Sequence, residues 1–286
     1  MLDKLLICTD LDRTLIPNGT QSESPMARKY FTMLAERPEV TLAYVSGRHR
    51  KLVEKAMNNY FLPKPDFVIG DVGTTIYHVG ESTGWQRQSA WEDSIAIDWK
   101  GKSHTELKSI LSGLQGLRSQ ELSKQNHFKL SYYVPLHVNR EALNASIRQR
   151  FEDTGVEVNL IWSIDEPAGV GLLDILPARA SKLHAIQALM KLHHFDYSNT
   201  VFCGDSGNDI EVLVSPIPAV LVANSQPNVR ELALRLSREN ALADQLYIAQ
   251  GDFAGMNGNY SAGMLEGIAH FYPQTREWIG LETGDK

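Results

Sequence analysis

The chain has 286 residues, 43% of them hydrophobic and 22% charged, with a formal net charge of -6. That length suits one large domain or two modest ones around a substantial core. The acidic balance excludes an electrostatic footprint for nucleic acid, and no stretch approaches the roughly 20 uninterrupted apolar residues that a membrane span needs. Two cysteines, Cys8 and Cys203, cannot make a disulfide framework. The apolar N-terminal run from Met1 to Ile7 meets Asp10 and Asp12 too soon for a signal peptide, so a cytoplasmic location is expected. The Asn-x-Ser sequons at Asn144 and Asn259 are then chance matches.

Residues 4–9 form a short apolar run, the pattern of a strand buried on both faces of a parallel sheet. Ser24-Pro25 reads as an N-cap and first-turn proline opening a helix through about Glu36. Val40–Val45 is a second buried strand, followed by a helix from about His49 to Asn58, a third strand at Phe67–Gly70 and a hairpin from Gly73. Between about Gly84 and Gly171 the strands alternate more clearly, as in Lys129–Val134 and Val156–Ile161, which indicates an antiparallel sheet with one wet face. Helices at about 103–114 and 140–152, the second capped by Asn139, would cover its other face. Parallel grammar resumes at Leu172–Pro177, then a helix from Ser181 to about His193 and strands at 200–203, 219–223 and 245–249. The fold expected is α/β: a Rossmann-like, doubly wound parallel sheet (residues 1–83 and 172–286) with an inserted α+β domain (84–171).

Asp10-Leu11-Asp12-Arg13-Thr14 follows the first buried strand, where open α/β sheets bind ligands. Two carboxylates two residues apart in extended chain share a side, so one can attack phosphorus while the other handles the leaving-group proton. Taken alone, the pentapeptide also reads as a charged turn. Gly204-Asp205-Ser206-Gly207-Asn208-Asp209 stands after another buried strand, and Asp205 and Asp209 are hard oxygen ligands suited to Mg2+. Val45-Ser46-Gly47-Arg48 offers a hydroxyl and backbone amides for phosphate at a helix start, although an ordinary Ser N-cap has the same look. Lys182 opens a helix where an ammonium could neutralise phosphate charge, or could simply be solvated.

These four elements, in this order, resemble the four motifs of the haloacid dehalogenase (HAD) superfamily: Asp-x-Asp-x-Thr at 10–14, Ser46, Lys182, and Gly-Asp-x-x-x-Asp at 204–209. The insertion resembles that superfamily's α/β cap of C2 type. A closer resemblance, to the sucrose-phosphate phosphatases of cyanobacteria and plants, is carried by Gln125–Tyr132, Asp174-Ile175-Leu176-Pro177, Cys203–Ile210 and the tail Ser261–Phe271. Leu183 departs where that family usually has glycine, as does Thr75 where it usually has an acid, and the extra C-terminal region of the plant enzymes is absent; these departures leave the sugar open.

The resemblance implies hydrolysis of sucrose 6-phosphate, with Asp10 as nucleophile giving an aspartyl-phosphate and Asp12 as general acid and then base. Mg2+ would be held by Asp10, the Asp12 carbonyl and Asp205, with Asp209 either a further ligand or hydrogen-bonded just outside them. Asp12 must be protonated when substrate binds, and its neighbours Asp10, Asp205 and Asp209 are expected to raise its pKa. Charge counting sets about -3 from three carboxylates against +3 from Mg2+ and Lys182, so strict Mg2+ dependence is expected. Phosphate contacts fall to Ser46, Gly47, Arg48, Lys182 and Asn208. Asn126, Lys129 and Tyr132 would face the active site and bind sugar, while a half-buried strand with polar residues in water is the competing reading. A sucrose-phosphate synthase is the partner the resemblance suggests, and the chain is expected to act as a monomer. The alternatives are another sugar or glycosyl-glycerate phosphatase, a phosphomutase, or a non-catalytic sensor.

Cys8 and Cys203 each precede a motif aspartate by two residues, so their thiols are expected side by side on neighbouring strands and inert. His193 and His194 suit a helix C-terminus, and Trp85, Trp91 and Trp99 read as packing rather than sugar platforms.

Overall fold

The computed structural model describes residues 3–165 and 168–281; Met1 and Leu2, which open the N-terminal apolar run, lie outside the described residues, as do 166–167 and 282–286. The first half runs β1 (Leu5–Thr9), α1 (Ala27–Ala35), β2 (Val40–Val45), α2 (Arg50–Tyr60), β3 (Phe67–Gly70), β4 (Thr75–Gly80) and β5 (Gly84–Arg87). Next come α3 (Ser89–Ala96), α4 (His104–Ile110), β6 (Arg118–Ser119), β7 (Leu130–Val134), α5 (Arg140–Glu152), β8 (Val158–Asp165) and β9 (Val170–Pro177). The chain then forms α6 (Lys182–Leu192), β10 (Thr200–Gly204), α7 (Ile210–Leu213), β11 (Ala219–Leu221), α8 (Pro227–Glu239), β12 (Leu246–Ile248), α9 (Ser261–Phe271) and α10 (Thr275–Trp278).

The large sheet has the order β12-β11-β10-β1-β2-β3-β4-β5, parallel from β12 to β3 and antiparallel beyond. β1 explains its unbroken apolar run. Leu5 and Ile7 pack with Phe31 and Ile268 of α1 and α9, while Leu6 and Cys8 pack with Ile186 and Ala233 of α6 and α8. The chain steps outward from β1 through β2 and β3, then restarts at β10 and steps the other way. The strand order therefore reverses between β1 and β10, where an open α/β sheet leaves a crevice at its carboxyl ends.

The second sheet, β6-β7-β9-β8, is antiparallel and packs its inner face against α4 and α5 through Leu130, Tyr132, Leu173, Ile175, Leu107, Ile147 and Phe151. Asn139 caps α5 as expected, its side chain accepting the Ala142 N–H at 3.0 Å. Two strands belong to the other sheet from the one the sequence suggested. β5 extends the large sheet as the partner of β4, and β9 pairs antiparallel with β7 and β8 instead of resuming the parallel sheet. β9 is central in its own sheet and half-buried even on its outer face, so its run looked like a parallel core strand.

The first helix begins at Ala27, not at Ser24-Pro25, because the Ser24 hydroxyl accepts the N–H of Asn257 at 3.0 Å. Cys8 and Cys203 do lie on neighbouring strands, β1 and β10, but Cys203 is level with Thr9, so the two thiols enter opposite faces of the sheet. Burial pushes both thiols up, as expected of inert cysteines. Among the described residues no helix is long and apolar enough to cross a membrane.

Candidate active site

The switch point between β1 and β10 gathers the residues the sequence singled out. Asp10 leaves the end of β1 with its N–H bonded to the Cys203 carbonyl at 2.9 Å, which ties the two strand ends together. Asp10, Asp205 and Asp209 are all buried, and each offers a carboxylate oxygen within 4.8 Å of the others. Asp209 folds back over its own loop: its Oδ2 accepts the N–H groups of Asp205 and Ser206, both at 3.1 Å. Only glycine at 204 permits this, since a Cβ there would stand 2.7 Å from Asp209 Cγ.

Lys182, on the first turn of α6, is 2% exposed. Its ammonium donates to Asp10 Oδ1 at 3.0 Å, Asp209 Oδ1 at 2.7 Å and Asn208 Oδ1 at 3.1 Å. The Ser181 hydroxyl caps that helix, and the Ser181 carbonyl lies where a Cβ on Gly73 (φ +96°) would approach to 2.3 Å. The turn after β3 is thus pressed against the helix start that presents the lysine. Burial raises the Asp10 carboxyl to about 7, with Asp209 and Asp12 adding to it and Lys182 opposing. Burial, then Asp209 and Asp10, hold Asp205 well above the ordinary carboxylate range. Burial alone would lower the Lys182 ammonium, but Asp10 and Asp209 outweigh it and hold it above its ordinary value.

Ser46 ends β2, one strand from Asp10, with its hydroxyl accepting the Arg48 N–H at 3.2 Å. Arg48 grips Asp12 bidentately, Nε to Oδ2 at 2.7 Å and the terminal nitrogen to Oδ1 at 2.5 Å, and Asn18 donates to Oδ1 at 2.7 Å. The expectation that neighbouring carboxylates raise Asp12 is corrected. Its burial does push upward, but the Arg48 and Asn18 hydrogen bonds prevail and hold it below the ordinary range. Asp12 is an ionised, paired carboxylate in this geometry.

From the smaller sheet, Asn126 donates to Thr74 Oγ1 at 2.8 Å and Lys129 pairs with Asp71 at 3.2 Å, both on the turn after β3. On the opposite flank, a Cβ on Gly207 would lie 3.4 Å from the Trp162 carbonyl of β8. The smaller sheet therefore touches the loops on both sides of the crevice. Tyr132 does not share the face of Lys129. It points with Leu130 and Val134 into the cap's apolar cluster, where burial pushes its hydroxyl up to about 12. The two are three positions apart, and a strand's period of two puts them on opposite faces.

Sequence reasoning passed over Arg13, whose Nε lies 3.3 Å from Asp205 Oδ2, and Asp71. Both carried a legible signal. Arg13 sits inside the Asp-x-Asp-x-Thr motif, and Asp71 follows a buried strand just as Asp10 does.

A three-layered, doubly wound sheet with this acidic cluster at its switch point and a separate capping sheet has the fold of the HAD-type phosphatases. The chain belongs to the sucrose-6F-phosphate phosphohydrolase family, whose model matches residues 3–272, and is a phosphoric monoester hydrolase. A sucrose-phosphatase structure from Synechocystis, solved with sucrose and phosphate, superposes with a TM-score of 0.74 at 27% identity, covering 94% of this chain and 98% of that one. Sucrose-phosphatase 1 of Nicotiana tabacum is 29% identical over 275 residues, 94% of this chain but only 59% of the tobacco protein. Mannosylfructose-phosphate phosphatase of Agrobacterium fabrum is 25% identical over 267 residues, 93% of this chain and 96% of that protein.

Proposed function

We propose that the protein is a Mg2+-dependent phosphatase that hydrolyses sucrose 6-phosphate through an aspartyl-phosphate on Asp10. The observation that carries this reading is the convergence of Asp10, Asp205, Asp209 and Lys182 at the switch point. The donor set is all oxygen, as Mg2+ prefers, and burial first, with the neighbouring carboxylates adding to it, holds Asp10 and Asp205 above the ordinary carboxylate range, a cost that a bound divalent cation would offset. Asp10, Asp205 and Asp209 would hold the ion, which when bound supplies charge neutralisation for the phosphoryl group.

Lys182 orients Asp10 through Oδ1 and adds a fixed positive charge beside the incoming phosphate. Asp10 attacks phosphorus, the bond from phosphorus to the sugar oxygen breaks, and that oxygen takes a proton from Asp12. Asp12 then removes a proton from the water that cleaves the aspartyl-phosphate. Asp12 can act as acid only after Arg48 releases it and it takes up a proton from solvent, and the phosphate dianion is the group suited to draw the guanidinium away. The Ser46 hydroxyl and the amides of Gly47 and Arg48 would supply neutral phosphate contacts at the end of β2, the Arg48 N–H leaving the Ser46 hydroxyl to which it donates here, with Asn208 on the facing loop. Asn126 and Lys129 bring the cap to the sugar side.

The relatives named for sucrose phosphate and mannosylfructose phosphate support a disaccharide phosphate as substrate. The test is phosphate release from sucrose 6-phosphate, mannosylfructose phosphate, mannosyl-3-phosphoglycerate and glucose 6-phosphate, with Mg2+ or with excess chelator. The expected result is preference for sucrose 6-phosphate, no turnover in chelator and loss of at least about a thousandfold in Asp10→Asn. A preference for any other compound, or turnover in chelator, contradicts the reading.

A further inference from the structure

We infer that Arg13 is a resident counter-cation of the acidic cluster, a positioning residue that competes with the divalent ion for Asp205 and favours the phosphate. This inference rests on the Mg2+ reading above. Arg13 follows directly on the second aspartate of its motif, with φ +61°, a left-handed backbone uncommon for a side-chain-bearing residue. The chain stabilises that conformation from several directions. Its N–H is bonded to Asn18 Oδ1 at 2.8 Å and to the Ile16 carbonyl at 3.1 Å. Its carbonyl accepts from the buried Asn224 side chain at 2.6 Å, and Asn224 in turn accepts the Tyr260 N–H at 2.8 Å.

The outcome of this arrangement is a guanidinium aimed at a candidate metal ligand. Nε lies 3.3 Å from Asp205 Oδ2, and the terminal nitrogen is fixed on the Asn224 carbonyl at 3.2 Å. Thr14 Oγ1 donates to the other oxygen of Asp205, also at 3.3 Å. Asp205 thus accepts the Thr14 hydroxyl on one oxygen and faces the Arg13 charge, as an ion pair, on the other, while still within 4.8 Å of its partners Asp10 and Asp209. Three carboxylates face two fixed cations here, Lys182 and Arg13. With a divalent ion bound, the cluster is net positive before a phosphate dianion arrives. Electrostatics therefore gives Arg13 opposite effects on two ligands: it weakens the cation and strengthens the anion.

That opposition is the signature to measure. Arg13→Gly removes the charge and relieves the backbone, since glycine adopts this φ freely; Arg13→Asn, also tolerant of it, is a second charge-free variant, and Arg13→Lys keeps the charge. Mg2+ titrations by calorimetry on phosphate-free protein would be paired with inorganic phosphate titrations at saturating Mg2+. The expected result is that Arg13→Gly and Arg13→Asn bind Mg2+ roughly three- to tenfold more tightly and phosphate more weakly by a similar factor, with Arg13→Lys near wild type. Unchanged or weaker Mg2+ binding in both charge-free variants, in protein with a wild-type circular dichroism spectrum, would overturn the inference. Failure of the wild-type protein to bind Mg2+ would instead sink the metal reading, and this inference with it.

Discussion

Asp10 carries the heaviest electrostatic burden at the residue scale. Its carboxyl sits at about 7 in the folded, metal-free protein against an ordinary 3.8, chiefly through burial. The sign follows from linkage. A raised carboxyl contributes stability that is fully present below 3.8 and is lost as pH climbs through about 7. Asp205 shifts in the same direction. In chelator, the thermal midpoint should therefore fall between pH 5 and pH 8, and Mg2+ should restore more of it at pH 8 than at pH 6. Differential scanning calorimetry at the two pH values checks this, and an equal Mg2+ effect at both would contradict it. Asp12, two residues on, behaves in the opposite way because Arg48 pairs with it. Its position near three other carboxylates was legible in the sequence. Arg48 was legible as a phosphate contact, but its pairing with Asp12 was not, because the two come from different strand ends that only the folded sheet brings together.

The elements that present the site depend on close backbone approaches. Gly73 and Gly204 each leave room for a group that a methyl would displace, the Ser181 carbonyl at the start of α6 and the Asp209 carboxylate. Gly204→Ala should push Asp209 off Lys182 and reduce phosphate release by about a hundredfold or more while costing about 1–3 kcal/mol of stability. Urea unfolding alongside the activity assay separates the two effects, and a variant of near-wild-type activity would show that Asp209 is not held by this packing. β1, β2, β3 and β10 were legible almost to the residue, because a strand buried on both faces leaves an unbroken apolar run. β9 misled for the same reason. It is central in the smaller sheet and covered on its outer face, so the signal for burial was right and the inference of parallel pairing was not. α9 gave no helical stripe at all, since Ser261 to Ala269 are buried around the whole circumference.

For the whole molecule, the telling contacts are the few that join the cap to the core. Lys129 and Asp71 form a buried pair across that boundary, and Asn126 hydrogen-bonds Thr74 on the same turn. Lys129→Met leaves Asp71 buried without its partner and should cost about 3–5 kcal/mol, whereas Lys129→Met combined with Asp71→Asn should recover much of the loss. Denaturant midpoints of Lys129→Met, Asp71→Asn and the double variant check this; a double-variant loss equal to the sum of the two single losses would mean that the pair is not coupled. The sequence expected Lys129 and Tyr132 on one face; Lys129 reaches Asp71 while Tyr132 enters the cap's apolar cluster, an error of strand period rather than of chemistry.

Convergence of carboxylates from β1 and from the loop after β10 on one divalent ion is the claim that the mechanism, the pH dependence and the role of Arg13 all share. Anomalous diffraction from crystals soaked in Mn2+ as a stand-in for Mg2+ reads it most directly. A single strong peak is expected within coordination distance of carboxylate oxygens of both Asp10 and Asp205, with Asp209 beside it. Soaked crystals in which the anomalous density lies elsewhere, or contacts only one of those two aspartates, would contradict it.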